Sequence, residues 1–137
     1  MRATNSTTMY YSFFLCLFLA ASIFSFAQTP VVSGEKIYAN NCLTCHQADG
    51  MGVIGMNPPL SKTKWVLGDK NQLITILLKG MKQTLEIGDE FYENPMPAQS
   101  HLNDKEMAAV LTYVRSHFGN KASAVSEAEV KKVRLGN

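Results

Sequence analysis

The chain has 137 residues, of which 46% are hydrophobic and 18% are charged. This length accommodates one ordinary domain and excludes a multidomain enzyme. Thirteen Lys and Arg residues stand against eleven Asp and Glu residues without runs of one sign, so we expect no nucleic-acid partner. Three cysteines cannot all pair with one another, and a simple disulfide framework therefore does not account for them.

The first 27 residues have the pattern of an export signal. Arg2 precedes an almost wholly apolar run over residues 10–23, and Ser25-Phe26-Ala27 supplies small residues where signal peptidase cleaves. We predict a signal peptide over residues 1–27 and export to the periplasm. If this segment were retained, residues 10–27 would be just long enough to anchor the protein in the membrane. Cleavage would remove Cys16 and leave about 110 residues with Cys42 and Cys45.

The first element after the signal is a helix that leads into a motif with both remaining cysteines. Ser33 is the predicted N-cap, the helix runs to about Asn41, and the string Cys42-Leu43-Thr44-Cys45-His46 follows. Cys-x-x-Cys-His is the attachment sequence of a c-type haem, in which two thiols bond to the vinyl groups and the histidine ligates the iron. On a helical turn, all three side chains face one side.

Three other interpretations of the cysteine pair agree less well with the sequence. A zinc site would need a second Cys or His pair at ligand spacing, whereas His101 and His117 are isolated. A thioredoxin-like redox pair would follow a strand, whereas the residues before Cys42 favour a helix. A disulfide between Cys42 and Cys45 would close too short a loop to stabilise much.

Further along the chain, the pattern predicts more helices, separated by long loops. A loop begins at residue 49 and continues to residue 60. The predicted elements are a helix from N-cap Asp69 to Lys79 with Gly80 as its stop, an extended turn over residues 84–89, and a helix from N-cap Asn103 with Glu106 in a capping box, ending near His117. Ser126-x-x-Glu129 opens a last helical turn, which we expect to pack loosely on the surface.

Taken together, the haem motif, the Pro-containing loop after it and Met96, 50 residues after His46, resemble class I c-type cytochromes over nearly all of the sequence beyond the signal. The string Tyr92-Glu93-Asn94-Pro95-Met96-Pro97-Ala98 is similar to the family's ligand loop. The resemblance implies an all-α cytochrome c fold, with three to four helices and long loops around one covalently attached haem c. It also implies a domain over residues 28–119, followed by a C-terminal extension with a short helix over residues 120–137.

The same resemblance implies the ligands of the haem iron. His46 and Met96 are the expected axial ligands, and Pro95 and Pro97 limit the loss of entropy when the loop presents the Met96 thioether. In this family a proline after the haem motif accepts a hydrogen bond from Nδ1 of the ligand histidine through its carbonyl oxygen. Pro58 and Pro59 both qualify for this role towards His46, and the Pro-x-Leu spacing points to Pro58. Trp65 is expected either near a haem propionate or in the plain core. The competing methionines are Met51, Met56, Met81 and Met107.

The implied function is that of an exported monohaem electron carrier with no catalytic residues of its own. It would pass single electrons between redox proteins, of which a dehydrogenase, a reductase and a terminal oxidase are the candidates. Three alternatives stay open at this point. If Met96 is not a ligand, the protein is a five-coordinate haem protein for gas binding or peroxide chemistry. The second alternative is the electron-transfer subunit of a larger oxidoreductase complex. The third is an exported disulfide or metal module without haem.

Overall fold

Residues 32–136, the part of the chain that the computed structural model describes, form helices joined by long loops and one short hairpin. The elements are α1 (Gly34–Asn41), α2 (Leu43–His46), α3 (Lys64–Leu67), α4 (Lys70–Lys79), β1 (Leu85–Ile87), β2 (Glu90–Tyr92), α5 (Asp104–Ser116) and α6 (Glu127–Gly136). The fold class is the predicted one. The six helices exceed the expected three to four because α2 and α3 are single turns of four residues each. The signal-peptide prediction and Cys16 lie outside the described residues.

The longer helices begin where the sequence places their caps. The Ser33 hydroxyl accepts a hydrogen bond from the Lys36 amide at the start of α1. The Asp69 carboxylate likewise accepts a hydrogen bond from a backbone amide in the first turn of α4. At the start of α5, Asn103 and Glu106 form the predicted capping box. These side chains satisfy backbone N–H groups that have no partner within the helix, so local chemistry is sufficient to fix each start.

The core lies where α1 crosses α5. A Cβ on Gly34 would collide with the Ala109 carbonyl oxygen, and Tyr38, one turn further along α1, is 3% exposed. Met107 and Leu111 of α5 are buried in the same core. The crossing therefore requires the smallest residue at position 34, because the two helix backbones meet there.

The extended turn predicted over residues 84–89 is an antiparallel hairpin. Leu85 pairs with Tyr92, Glu86 with Phe91, and Ile87 with Glu90, with Gly88 at a φ of 65° in the turn. Successive residues of a strand point to opposite faces, so Leu85 and Tyr92 share the buried face, while Phe91 is exposed.

The C-terminal helix α6 does not pack loosely on the surface, and that prediction was wrong. Val130 of α6 is fully buried in the core, and Val125 before the helix is 5% exposed. Salt bridges join Lys70 to Glu129 at 2.9 Å and Arg134 to Asp104 at 2.6 Å, and so tie α6 to α4 and to the start of α5. The polar link over residues 120–124 suggested an exposed tail, but the apolar residues that follow it reach the core.

The helices within residues 32–136 are all too short or too polar to cross a membrane.

Candidate functional site

The Cys-x-x-Cys-His motif forms the corner between α1 and α2. The Cys42 amide donates to the Tyr38 carbonyl at 2.8 Å, and the His46 amide donates to the Cys42 carbonyl at 2.9 Å, which closes one helical turn. Both thiols are free; that of Cys42 is partly buried and that of Cys45 is exposed. Burial raises the pKa of the Cys42 thiol to about 11, and the neighbouring Cys45 adds to this shift. The two thiols and the imidazole therefore lie within one turn, as the motif predicts.

His46 is buried, and its orientation is fixed by the loop that follows it. Its Nδ1 lies 2.9 Å from the carbonyl oxygen of Pro58. Because a carbonyl oxygen can only accept, Nδ1 carries the proton and Nε2 keeps its lone pair free for a metal. Burial lowers the pKa of His46, an effect that the hydrogen bond to Pro58 partly opposes. The neutral imidazole is thus the favoured form, and it is the form that ligates metals.

The loop that carries Pro58 is held by backbone hydrogen bonds. Val53 and Asn57 exchange two of them, at 2.8 and 2.9 Å, and the Leu60 amide donates to the Gly50 carbonyl at 2.7 Å. Gly52 has a φ of 66°, and a Cβ there would collide with the Asn57 carbonyl. The close approach requires glycine at this position, and it brings the Pro58 carbonyl to the imidazole.

Met96 lies on a segment that pairs with the residues after α4. Met81 and Met96 exchange both backbone hydrogen bonds, at 2.9 and 2.8 Å. Residues paired in this way project their side chains to the same side of the ladder. Gly80, at a φ of 75°, permits the contact because a Cβ there would lie 2.5 Å from the Met96 carbonyl oxygen. The arrangement presents two thioethers to the same cavity.

A largely apolar cleft brings these groups together. Its volume is about 870 Å³, counting the space open to solvent. Helices α2, α3, α4 and α5 contribute to its walls, together with the hairpin. The lining residues are Cys42, His46, Pro58, Pro59, Leu60, Thr63, Trp65, Val66, Leu73, Ile76, Leu77, Met81, Gln83, Leu85, Ile87, Tyr92, Asn94, Met96, Val110, Leu111 and Val114.

Trp65 indicates what the cleft accommodates. Its indole nitrogen is the buried side-chain polar atom that finds no hydrogen-bond partner within residues 32–136. An unpaired buried donor costs free energy, and an acceptor on a bound molecule would remove that cost. The apolar walls, the Cys42 thiol in the lining and the unpaired donor fit a haem, whose propionates carry the acceptors. Trp65 thus lies in the cleft wall, and its hydrogen bond to a propionate stays a prediction.

The remaining candidate residues lie elsewhere. Met51 and Met56 are exposed, whereas Met107 is fully buried in the core. His101 is exposed and contacts Asn41, and His117 is exposed and stacks on Tyr113 with ring centres 3.9 Å apart. Within residues 32–136, no group of three or more His, Cys, Asp or Glu residues could hold a metal ion. Of the competing methionines, only Met81 shares the cleft with Met96.

Sequence reasoning missed the part of the cleft wall that α3 forms. The short helix α3 supplies Trp65 and Val66 to the cleft, and the Thr63 hydroxyl caps it by accepting from the Val66 amide. Thr63 before an apolar run was the available signal, although one turn of helix has no periodicity to detect. The buried side chains of Arg115 and Asn120 donate hydrogen bonds to backbone carbonyls of residues in the cleft wall. No pattern in the sequence indicated this role.

Comparisons with known proteins agree with this geometry. The family model for cytochrome c matches residues 31–118. Cytochrome c-552 of Thermus thermophilus is 34% identical over 110 residues, which cover 74% of this chain and 83% of that protein. The fructose dehydrogenase cytochrome subunit of Gluconobacter japonicus is 35% identical over 116 residues, and a cbb3-type cytochrome c oxidase subunit of Rhodobacter capsulatus is 28% identical over 96 residues. In these two the match covers only 23% and 31% of the longer relative.

Proposed function

This chain belongs to the cytochrome c family as a monohaem electron-transfer protein with haem c and its iron, and we propose that Cys42, Cys45, His46 and Met96 hold that haem. The observation that carries the proposal is the shared cleft, since one apolar cavity is lined by Cys42, His46 and Met96 together. In this arrangement Cys42 and Cys45 would hold the haem through two thioether bonds. His46 and Met96 would ligate its iron.

The residues around the iron have separate tasks. The Pro58 carbonyl holds the proton of His46 on Nδ1, which orients the ring and raises the basicity of Nε2. The apolar walls exclude water, and the paired backbone of Met81 and Met96 keeps the ligand loop from moving as the charge on the iron changes. The bound haem supplies the one-electron ferric–ferrous couple, and a thioether ligand favours its ferrous state.

We further infer that the protein is a carrier rather than an enzyme, and that its partners are other redox proteins. If His46 and Met96 both ligate the iron, no coordination position would remain for a substrate. Relatives named as cytochrome subunits of a fructose dehydrogenase and of a cbb3-type oxidase favour a dehydrogenase as donor or an oxidase as acceptor. The signal-like pattern of residues 1–27 supports export to the periplasm.

Covalent haem attachment tests the proposal directly. The full-length chain is expressed with and without a c-type cytochrome maturation system, and the purified protein is assayed for pyridine haemochrome after acid–acetone extraction. We expect haem that resists extraction and a loss of that haem in Cys42→Ala with Cys45→Ala. Haem that is extracted from the unaltered chain matured in this way would contradict the thioether assignment.

A further inference from the structure

Arg115, in the last turn of α5, carries a buried charge. The residue as a whole is only 3% exposed. Nε donates to the Ser123 carbonyl at 2.8 Å, and Nη1 donates to the carbonyls of Val66 at 2.5 Å and Gly68 at 3.3 Å. Nη2 lies 3.5 Å from the Ser123 hydroxyl. Every one of these acceptors is a neutral oxygen.

Within residues 32–136, no carboxylate forms a salt bridge with this charge. In the stretch from residue 32 to residue 136, the salt bridges join Lys70 to Glu129 and Arg134 to Asp104, and Arg115 takes part in neither. A guanidinium group stays protonated at any pH that a folded protein tolerates. Carbonyl dipoles solvate the cation without cancelling its net charge, so its field extends into the low-dielectric interior.

The charge lies directly behind the wall of the cleft. Val66, whose carbonyl oxygen accepts from Arg115, is 1% exposed and lines the cleft. Leu111 and Val114, which precede Arg115 on α5, line the same cleft. The guanidinium is therefore bonded to the backbone of the wall itself, where there is little solvent to screen it.

We propose that Arg115 raises the reduction potential of the haem through this uncompensated charge. The inference rests on the proposed function, which places the iron in this cleft. Reduction transfers one electron from the redox partner to ferric iron and lowers the positive charge of the site by one. A nearby cation repels the ferric form more than the ferrous form, so its presence favours reduction.

The first test compares two arginines in the haem-loaded protein by spectroelectrochemical titration. Arg115→Gln is expected to lower the ferrous-to-ferric ratio at a fixed potential by about three- to tenfold, where tenfold corresponds to about 59 mV for one electron. Arg134→Gln is the matched control, because Arg134 is paired with Asp104 and is expected to leave the potential unchanged. Wild-type potentials in both variants would overturn the proposal.

Arg115→Lys separates charge from geometry. Lysine keeps the positive charge but loses the forked hydrogen bonds to the carbonyls of Val66 and Ser123. We expect its potential to lie closer to that of the wild type than to that of Arg115→Gln. Equal losses in the two variants would show that the charge is not what matters.

A second approach keeps Arg115 in place. Ser123 is exposed and its hydroxyl faces Nη2, so Ser123→Asp places a carboxylate beside the guanidinium. We expect Ser123→Asp to lower the potential, whereas Ser123→Asn and Ala124→Asp, an added carboxylate at the next exposed position, have little effect. Equal shifts in Ser123→Asp and Ala124→Asp would contradict the role of Arg115. Failure of haem attachment would instead count against the proposed function.

Discussion

At the residue scale, the cleft offers two thioethers where the proposed iron site needs one. Met81 and Met96 are a directly opposed backbone pair, and both side chains line the cavity. The difference between them is the surrounding chain. Met96 lies between Pro95 and Pro97, which restrict its backbone before any ligand binds. Met81, in contrast, directly follows Gly80, the C-cap residue of α4. Met96 is therefore the better prepared ligand.

Single alanine variants of the two methionines distinguish them. In Met96→Ala we expect the far-red absorption band of a methionine bound to ferric haem to disappear, and the reduction potential to fall because the soft sulfur ligand is lost. Met81→Ala, which removes the opposed thioether of the same pair, should keep the band. A band that persists in Met96→Ala and vanishes in Met81→Ala would assign the ligand to position 81. Absence of the band in the wild type would favour the five-coordinate alternative.

At the scale of elements, local chemistry explains where helices begin better than what they contact. Ser33, Asp69 and Asn103 cap their helices as the sequence predicts, because a cap involves residues only two or three positions apart. The role of α6 could not be predicted in this way. Val130 is fully buried only because α4 and α5 lie beside α6, and that proximity is a property of the fold.

Truncation of Val130 measures how firmly α6 is docked. Val130→Ala removes two methyl carbons from a fully buried site and is expected to lower the free energy of unfolding by about 2 kcal/mol. Leu135→Ala, on the same helix but at a site that is 79% exposed, should change it by less than about 0.5 kcal/mol. Denaturant unfolding of the haem-loaded variants gives both values. Equal, small effects in the two variants would show that α6 is the loosely packed extension that the sequence suggested.

At the scale of the whole molecule, hydrogen bonds between residues 115–123 and distant segments hold the cleft wall in place. The Asn120 amide donates to the carbonyls of Leu60 and Val114, and its oxygen accepts from the Lys62 amide at 2.7 Å. The Ser61 hydroxyl donates to the Phe118 carbonyl at 2.8 Å. Except for the bond to Val114, these bonds join residues 57 to 60 positions apart, so the loop that orients His46 depends on the far end of the sequence.

The docking of α6 also gives the molecule a defined response to acid. The Ser126 amide and hydroxyl, together with Lys70, hold the pKa of Glu129 down to about 2, compared with 4.5 ordinarily. A carboxyl group whose pKa is lower in the folded state stabilises the protein above its unfolded pKa, and that contribution is lost as the pH falls towards the folded value.

The Glu129→Gln variant tests this linkage. Its melting temperature should lie below that of the wild type at pH 6, and the difference should shrink as the pH falls from about 4.5 to about 2, where the wild-type carboxyl group also becomes neutral. Glu127→Gln, on the same helix, is the control for a general change of charge. Thermal unfolding followed by circular dichroism gives the comparison. A difference that is the same at pH 6 and pH 2 would show that ionisation of Glu129 contributes nothing to stability.

Sequence by itself determined what depends on neighbouring residues: the helix caps, the hairpin turn, and the Cys42, Cys45 and His46 motif within one helical turn. It also proposed Met96 and Pro58, and both lie in the cleft. Only the tertiary structure decided that Trp65 and Arg115 belong to the two sides of one cleft wall and that Val130 belongs to the core. The physical reason is that burial and long-range hydrogen bonds depend on contacts between distant segments, which no local pattern encodes.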